Sequence, residues 1–546
     1  MNQATRRFKL QRDIYLRLQS TLKEAFGPKS EELEAYLCEY EQEFLRFGTV
    51  TSINELMAAV LSSRVTLCGD YHTLGQAQRT VVRILRKALP VLKQEKRELI
   101  LFLEMVPASA DIAARQYLDG TLEERQFLKK IRFKSQWGFR WENYRKIFDF
   151  ARSAGISVLG LNGPGLGAGL RRRDSFGAER IAAALNEFPN ALIFVLVGDS
   201  HLARNHLPLA IEKKIKKKSS LVSIHQNHEG TYWKMVERGV EESAEVIRLR
   251  KGSFCVMNTP PWIKLQSLVR WSQGPGVGRR ADADPHLEWD FSEEFIELVE
   301  VISHFLGLDR EPVDVNFELC SPKDTDLLER YQRELPPQTY QLLLAYLDAF
   351  GSLFVSYGKT VFLPDFNLNH AGSLAAQYLH CQLSDNHQIF ENIERQFYSQ
   401  LWIHALGFVG SKVINPKRKC NGPRDLKVLS EVPMRSKRRI EHHPQVVKWA
   451  LSHLNWERGR GAPPRLPSSQ KVETLVVFYA ISKVLGQLLG EGLYKGVHQG
   501  KISQDALQAM FENPYEDPGL AKESYLDWAG TLDRLKLRSH AKGDRF

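Results

Sequence analysis

Across residues 61–272 the apolar positions gather in short unbroken runs, and between the runs they recur every three or four residues. The runs are 64–68, 98–105, 156–162, 191–197 and 220–225. They are rich in β-branched or aromatic residues, which predicts strands buried on both faces. After the first run, Val81, Ile84, Leu85 and Leu89 share one helical face, and Pro90 falls near that helix's end. Helical patterns also fill 108–130, a stretch carrying Ile147, Phe148, Phe150 and Ala151 that Gly155 ends, and about 175–186. Strands alternating with helices predict an α/β fold, a mainly parallel, doubly wound sheet with helices on both faces.

The flanks have a different period. Ile14, Leu18, Leu22 and Phe26, then Leu33, Tyr36, Leu37, Tyr40 and Phe44, recur at helical spacing on either side of the Gly27-Pro28 break. Beyond residue 272, Gly274-Pro275-Gly276-Val277-Gly278 has linker composition. Helical patterns then dominate, at 291–307, 338–356, 371–382, 389–411, 443–454 and 471–495. The expected organisation is an N-terminal helical segment (1–60), an α/β domain (61–272), a linker (273–287) and a C-terminal all-α domain (288–546) with no assigned role. The apolar stretch 474–490 is interrupted by Ser482, Lys483 and Gln487, which favours a buried helix over a membrane span. Gly486 and Gly490 on that helix allow close packing.

Composition narrows the function classes. The net charge of +11 comes from 75 basic and 64 acidic residues that are mostly interspersed, as on a solvated surface. No nucleic-acid reading module is recognisable, so no specific nucleic-acid partner is expected. The six cysteines are scattered and form no C-x-x-C pair, which excludes a disulfide framework or thiolate zinc site and suits a reducing cytosol. The first twenty residues are basic without an apolar block, so neither signal peptide nor transmembrane segment is expected and the location reads as cytoplasmic.

The chemistry lies in one repeated signature. The first run ends in Gly69-Asp70-Tyr71-His72 and the fourth in Gly198-Asp199-Ser200-His201. In a parallel sheet the residues just past the strands' carboxyl ends line the ligand crevice. Glu104, at the end of an otherwise apolar strand, is costly to bury unless paired or ligating. His72, His201 and Glu104 could hold a catalytic zinc with an open position, or iron or manganese with more oxygen ligands. Asp199 joins them as a candidate metal ligand, and Asp70 and Asp199 could orient the imidazoles from behind. In a hydrolase, Asp70 or Glu104 would serve as the base. The bland alternative is that each Gly-Asp makes a turn and caps the next helix.

Tyr71 is a candidate phenolate ligand to haem iron. Tyr144 and Trp137 could line an aromatic pocket, and Arg173, in Arg171-Arg172-Arg173-Asp174, could bind a propionate or another anion. Gly163-Pro164-Gly165-Leu166-Gly167-Ala168-Gly169 imitates a dinucleotide fingerprint. Pro164 lacks a donor, however, and no acidic strand end follows downstream. His225 and His228 stand near the end of the last run, where a loop reading is favoured.

Gly69-Asp70-Tyr71-His72, Glu104, the Arg173-Asp174 helix start and Gly198-Asp199-Ser200-His201 occur in an order that resembles the ChaN-like, haem-binding-uptake branch of the Tiki/TraB/erythromycin-esterase superfamily. The resemblance covers about residues 60–215. It implies an α/β fold, haem binding and iron uptake in ChaN-like members, and metal-dependent proteolysis or esterase activity elsewhere in the superfamily. It further implies His72, Glu104 and His201, with Asp70 and Arg173, as site positions. Two departures are visible. Asp70 stands where the family commonly has Glu, and no lipobox is present. The expected function is haem or metal binding linked to iron or haem handling, with haem or a divalent metal (Zn, Fe or Mn) as cofactor. The alternatives are a metal-dependent hydrolase with a small-molecule or peptide substrate, and a non-catalytic interaction protein. A homodimer sharing one haem stays open.

Overall fold

All five apolar runs become strands of one eight-stranded sheet: β2 (Val65–Asp70), β3 (Leu99–Pro107), β4 (Ser157–Asn162), β5 (Leu192–Gly198) and β6 (Leu221–Gln226). The computed structural model describes residues 3–163, 169–215, 220–272, 291–308, 316–320, 325–364, 367–385, 393–431, 440–465 and 471–537. The expected 273–287 linker and Pro164 to Ala168 of the glycine-rich motif lie outside the described residues. Contacts divide the chain into two units. One is Tyr15–Ala283, and the other joins Met1–Ile14 to Asp284–Arg545.

Three short strands complete the sheet: β1 (Thr49–Thr51), β7 (Val246–Arg250) and β8 (Ser253–Val256). The strand order is β1-β7-β8-β6-β2-β5-β3-β4. The six strands from β8 to β4 are parallel, while β7 runs antiparallel to β8 and β1 antiparallel to β7. The apolar pattern missed β1, β7 and β8. They are short, and β1 and most of β7 leave one side partly in water, so pairing with a neighbour decides them rather than an apolar run of their own.

Each sheet face has its own core, because alternate strand residues point to opposite sides. Leu101, Leu103, Phe194, Leu196 and Ile224 pack with Val81, Ile84 and Leu85 of the Gly75–Gln94 helix and with Ile147 and Phe148 of the Trp141–Ala154 helix. On the other face, Leu67, Ile100, Phe102, Ile193 and Val195 pack with Ala178 and Ile181 of the Leu170–Glu187 helix and with Ile211 of the Leu207–Lys214 helix. The chain therefore leaves β2 toward one face and β5 toward the other, although the two strands are neighbours. Such a switch point opens a crevice at the carboxyl edge of the sheet.

The second unit is helical, with a small three-stranded sheet of β9 (Glu318–Cys320), β10 (Leu353–Val355) and β11 (Thr360–Phe362). Its central helix, Val472–His498, is long and apolar enough to cross a membrane by length and composition, yet 72% of its most apolar window is buried. Cβ atoms on Gly486 and Gly490 would collide with the carbonyl oxygens of Leu401 and Ala405 on the Ile393–Ile414 helix. Gly490→Ala is therefore expected to destabilise this unit by about 2 kcal/mol, the usual cost of overpacking a close contact. A lowered urea midpoint would register it, and an unchanged midpoint would mean the two helices can part freely.

Candidate functional site

The two signatures meet across the β2–β5 pair but are staggered by one residue. Asp70 pairs with Gly198, and Gly69 with Val197. A one-residue offset sends equivalent side chains to opposite faces of a sheet. The two Gly-Asp pairs therefore have different fates, although both histidines reach the crevice.

His72 is held from behind. Its Nδ1 lies 2.9 Å from Asp70 Oδ2, and Tyr144 donates its hydroxyl to the same oxygen at 2.7 Å. Gln78 Nε2 donates to the other oxygen, Oδ1. With Nδ1–H given to Asp70, the neutral ring carries its lone pair on Nε2. Trp137 and Phe139 flank the ring, with centroids 4.5 and 4.8 Å away. Burial disfavours the imidazolium, but the hydrogen bond and charge of Asp70, helped by Glu104 and Asp199, outweigh it and raise the His72 pKa.

His201 has an analogous arrangement on different elements. Its Nδ1 is 2.6 Å from Asp174 Oδ1 and 2.8 Å from the Tyr36 hydroxyl, which donates to Asp174 Oδ2 at 2.6 Å. Asp174 lies in the first turns of the Leu170–Glu187 helix, which starts five residues before the expected 175. Tyr36 comes from the Glu31–Glu41 helix. The sequence reading did not single out Tyr36, and it quoted Asp174 only as part of a motif. For Asp174, the available signal was a carboxylate on the inward face of an amphipathic helix.

Glu104 lies between the two imidazoles. Gly198 N–H donates to its Oε2 at 2.7 Å, while Oε1 is 3.4 Å from Arg173 Nη1 and 3.7 Å from His201 Nε2. Burial alone would push its pKa up. The charges of His201, His72 and Arg173, with the Gly198 N–H, reverse this and hold it below the usual value. His72, Glu104, Arg173, Gly198 and His201 share a cleft of about 340 Å³, walled by Trp137 and Phe139. That volume is at the small end of ligand pockets, ~300–1,000 Å³. The histidines differ in access: the His72 side chain is 25% exposed and that of His201 only 5%.

Several expectations are corrected. Asp199 does not orient His201 and does not line the cleft; Asp174 takes the orienting place. The register offset instead sets the Asp199 carboxylate against Gly69, where a Cβ would collide with it. Both its oxygens are buried without a hydrogen bond of good geometry, although the Gln226 backbone N–H is near enough to favour the charge. Burial, opposed by Lys264, raises its pKa to about 6. Tyr71 also lies outside the cleft lining, with Lys264 Nζ 4.6 Å from its ring centre, and burial raises its phenol pKa, the wrong direction for a phenolate ligand. Tyr144 does not line the cleft but stands behind His72. Among the described residues no group of three His, Cys, Asp or Glu side chains is disposed to hold a metal ion. The expected divalent-metal set of His72, Glu104, His201 and Asp199 thus has no geometric support. His225 is a buried residue of β6 and His228 caps the Glu229–Glu237 helix, and neither lines the cleft. Arg171 pairs with Glu39 at 2.6 Å, leaving Arg173 as the arginine of the site.

An α/β unit with two anchored imidazoles, a carboxylate and an arginine at its switch point has the geometry of a crevice-type candidate site. Residues 56–166 match the family described as haem-binding uptake, Tiki superfamily, ChaN. That span contains Asp70, His72, Glu104 and Tyr144 but stops short of Arg173, Asp174 and His201. Among solved structures, that of cofacial haem binding to ChaN of Campylobacter jejuni aligns at 13% identity, covering 38% of this chain and 92% of its own, with a TM-score of 0.28. No curated protein matches the chain.

Proposed function

We propose that the chain binds haem in this cleft, with His72 as the iron-facing residue, and that it serves haem or iron handling. The observation that carries the reading is the His72 environment. Its Nδ1 is occupied by Asp70, so Nε2 faces a half-open cleft between two aromatic rings. Imidazole is a common axial ligand of haem iron, and a hydrogen-bonded carboxylate behind it strengthens the donor. The remaining residues suit such a ligand. Trp137 and Phe139 offer apolar faces to a macrocycle, and Arg173 keeps a buried Nε without a partner, ready for a propionate. Bound haem would supply an iron centre able to accept the His72 nitrogen. The chain's own residues fix the imidazole, hold Glu104 ionised and present a cation for the ligand's acid groups. The metal-dependent hydrolase gains no support from the donor geometry. Neither the cytoplasmic location nor a homodimer is needed for the reading.

Haemin titration followed at the Soret band tests it, with Gly198→Ala as the probe. A Cβ on Gly198 would lie 3.5 Å from Glu104 Oε2, 3.5 Å from His201 Cδ2 and 3.6 Å from His72 Cε1, all ordinary contacts. Its backbone angles, φ −49° and ψ 139°, are open to alanine. The variant should fold normally yet place a methyl group where the three side chains converge. The wild type should bind haemin saturably, and Gly198→Ala should weaken it at least about tenfold, the equivalent of overpacking by ~1–3 kcal/mol. A wild type with no saturable Soret shift ends the haem reading.

A further inference from the structure

We propose that Tyr36 and Asp174 are positioning residues of the cleft: together they hold His201 with its proton on Nδ1 and turn Nε2 toward Glu104. The inference rests on the cleft being the ligand site and adds parts that the family-matched span, 56–166, does not contain.

The hydrogen-bond pattern around His201 puts a hydrogen on Nδ1, in the neutral ring and in the imidazolium alike. Tyr36 has a single hydroxyl hydrogen, and an ionised Asp174 has none. Tyr36 therefore gives its hydrogen to Asp174 Oδ2 at 2.6 Å, and the only hydrogen left for the 2.6 Å contact with Asp174 Oδ1 is that on His201 Nδ1. The Tyr36 oxygen, 2.8 Å from Nδ1, can accept a share of the same hydrogen. All three side chains are buried, Tyr36 at 2% exposure and the other two at 4%, so bulk water cannot supply alternatives. Nε2 stands 3.7 Å from Glu104 Oε1, and in the neutral ring it carries the lone pair.

Tyr36 is itself fixed. Its ring stacks on His206 at 3.6 Å, and Glu39, one turn along the same helix, accepts from His206 Nε2 at 2.7 Å and from Asn205 at 2.6 Å. Glu32 accepts the Leu170 N–H at the start of the helix that carries Asp174. The Glu31–Glu41 helix is thereby tied to the loop after β5 and to the Leu170–Glu187 helix, and Leu33 from the same helix lines the cleft. His72 has the matching Tyr144–Asp70 pair at 2.7 and 2.9 Å. Two tyrosine–aspartate clamps on unrelated elements thus present two imidazoles in the same sense. A carboxylate is what this role needs, because an amide in its place can donate to the ring nitrogen and invert the tautomer.

The test is side-chain nitrogen NMR of histidine-labelled apo protein, with Asp174→Asn, Tyr36→Phe and, as an internal control, the His72 signals in each. In the wild type, His201 should show the Nδ1–H pattern. Asp174→Asn should convert it to the Nε2–H pattern, and Tyr36→Phe should move the Nδ1 resonance while the phenyl ring keeps the packing. His72 should be unchanged in both. Haemin affinity should fall by up to about tenfold in Asp174→Asn, the low end of the range for residues that orient a ligand from behind and no more than the loss expected on removing His201 itself. An Nε2–H pattern in the wild type, or a His201 pattern indifferent to Asp174→Asn, overturns the assignment. A flipped tautomer with unchanged haemin affinity overturns it as well, since His201 would then not serve the cleft. Because the NMR is read without ligand, a wild type that fails to bind haemin but shows the expected tautomers would remove the haem reading and leave the clamp standing. Should Tyr36→Phe not fold, Asp174→Asn alone reads the same clamp from the other helix.

Discussion

His72→Ala is expected to lower haemin affinity more than about 100-fold, beyond the ~10–100-fold typical of residues that only orient a ligand. The fold should survive the change. Asp70 keeps its hydrogen bonds from Tyr144 and Gln78, so no carboxylate is stranded, and the lost ring borders the cleft rather than the core. His201→Ala should cost less, about tenfold, because His201 is nearly enclosed and acts beside Glu104 rather than at the open mouth. Soret titrations of the two variants decide the order. Equal affinity in His72→Ala and wild type would remove His72 as the iron-facing residue, and a larger loss in His201→Ala would exchange the two roles.

The second large effect concerns stability. Asp199 carries a buried carboxylate that no hydrogen bond of good geometry reaches, although the Gln226 backbone N–H is near enough to favour its charged form, and burial raises its pKa to about 6 from the ordinary 3.8. Below pH ~3 the group is neutral in both folded and unfolded chains and contributes nothing. Between pH ~4 and ~6 the unfolded chain releases the proton first, so folding loses stability as pH rises. Above pH 6 the full penalty, about 3 kcal/mol for a shift of this size, is present. Asp199→Asn removes the charge, keeps the shape and leaves an amide oxygen that can still meet the Gln226 N–H. It should therefore raise the urea midpoint clearly at pH 7.5 and only slightly, by about a fifth as much, at pH 4. An equal gain at both values would mean that something other than ionisation is responsible. A carboxylate kept at such a position is a candidate for a stability–function compromise.

How much of the site was legible follows from where each residue's partner lies in the chain. His72, Glu104 and His201 were legible because a strand's carboxyl end is visible locally, as the point where an apolar run stops. Asp70 was legible because its partner, His72, is two residues away. Asp199 was misplaced because identical motifs invite identical roles, and only the pairing of Asp70 with Gly198 shows the one-residue stagger. Tyr71 was misplaced for a related reason: which side of the strand end a residue faces depends on the neighbouring helices, here through Lys264.

The sequence by itself determined the parallel sheet, its five principal strands, the two covered faces and the edge that carries the candidate site. All of these follow from the lengths and periods of apolar runs, which are properties of consecutive residues. Only the tertiary structure decided the register between β2 and β5, the edge strands β1, β7 and β8, and the partnership of His201 with Asp174 and Tyr36. Those partners stand 27 and 165 residues from His201 along the chain. Hydrogen bonds of that span leave no periodic trace, because the packing of whole elements brings the groups together rather than any local preference of the residues that make them.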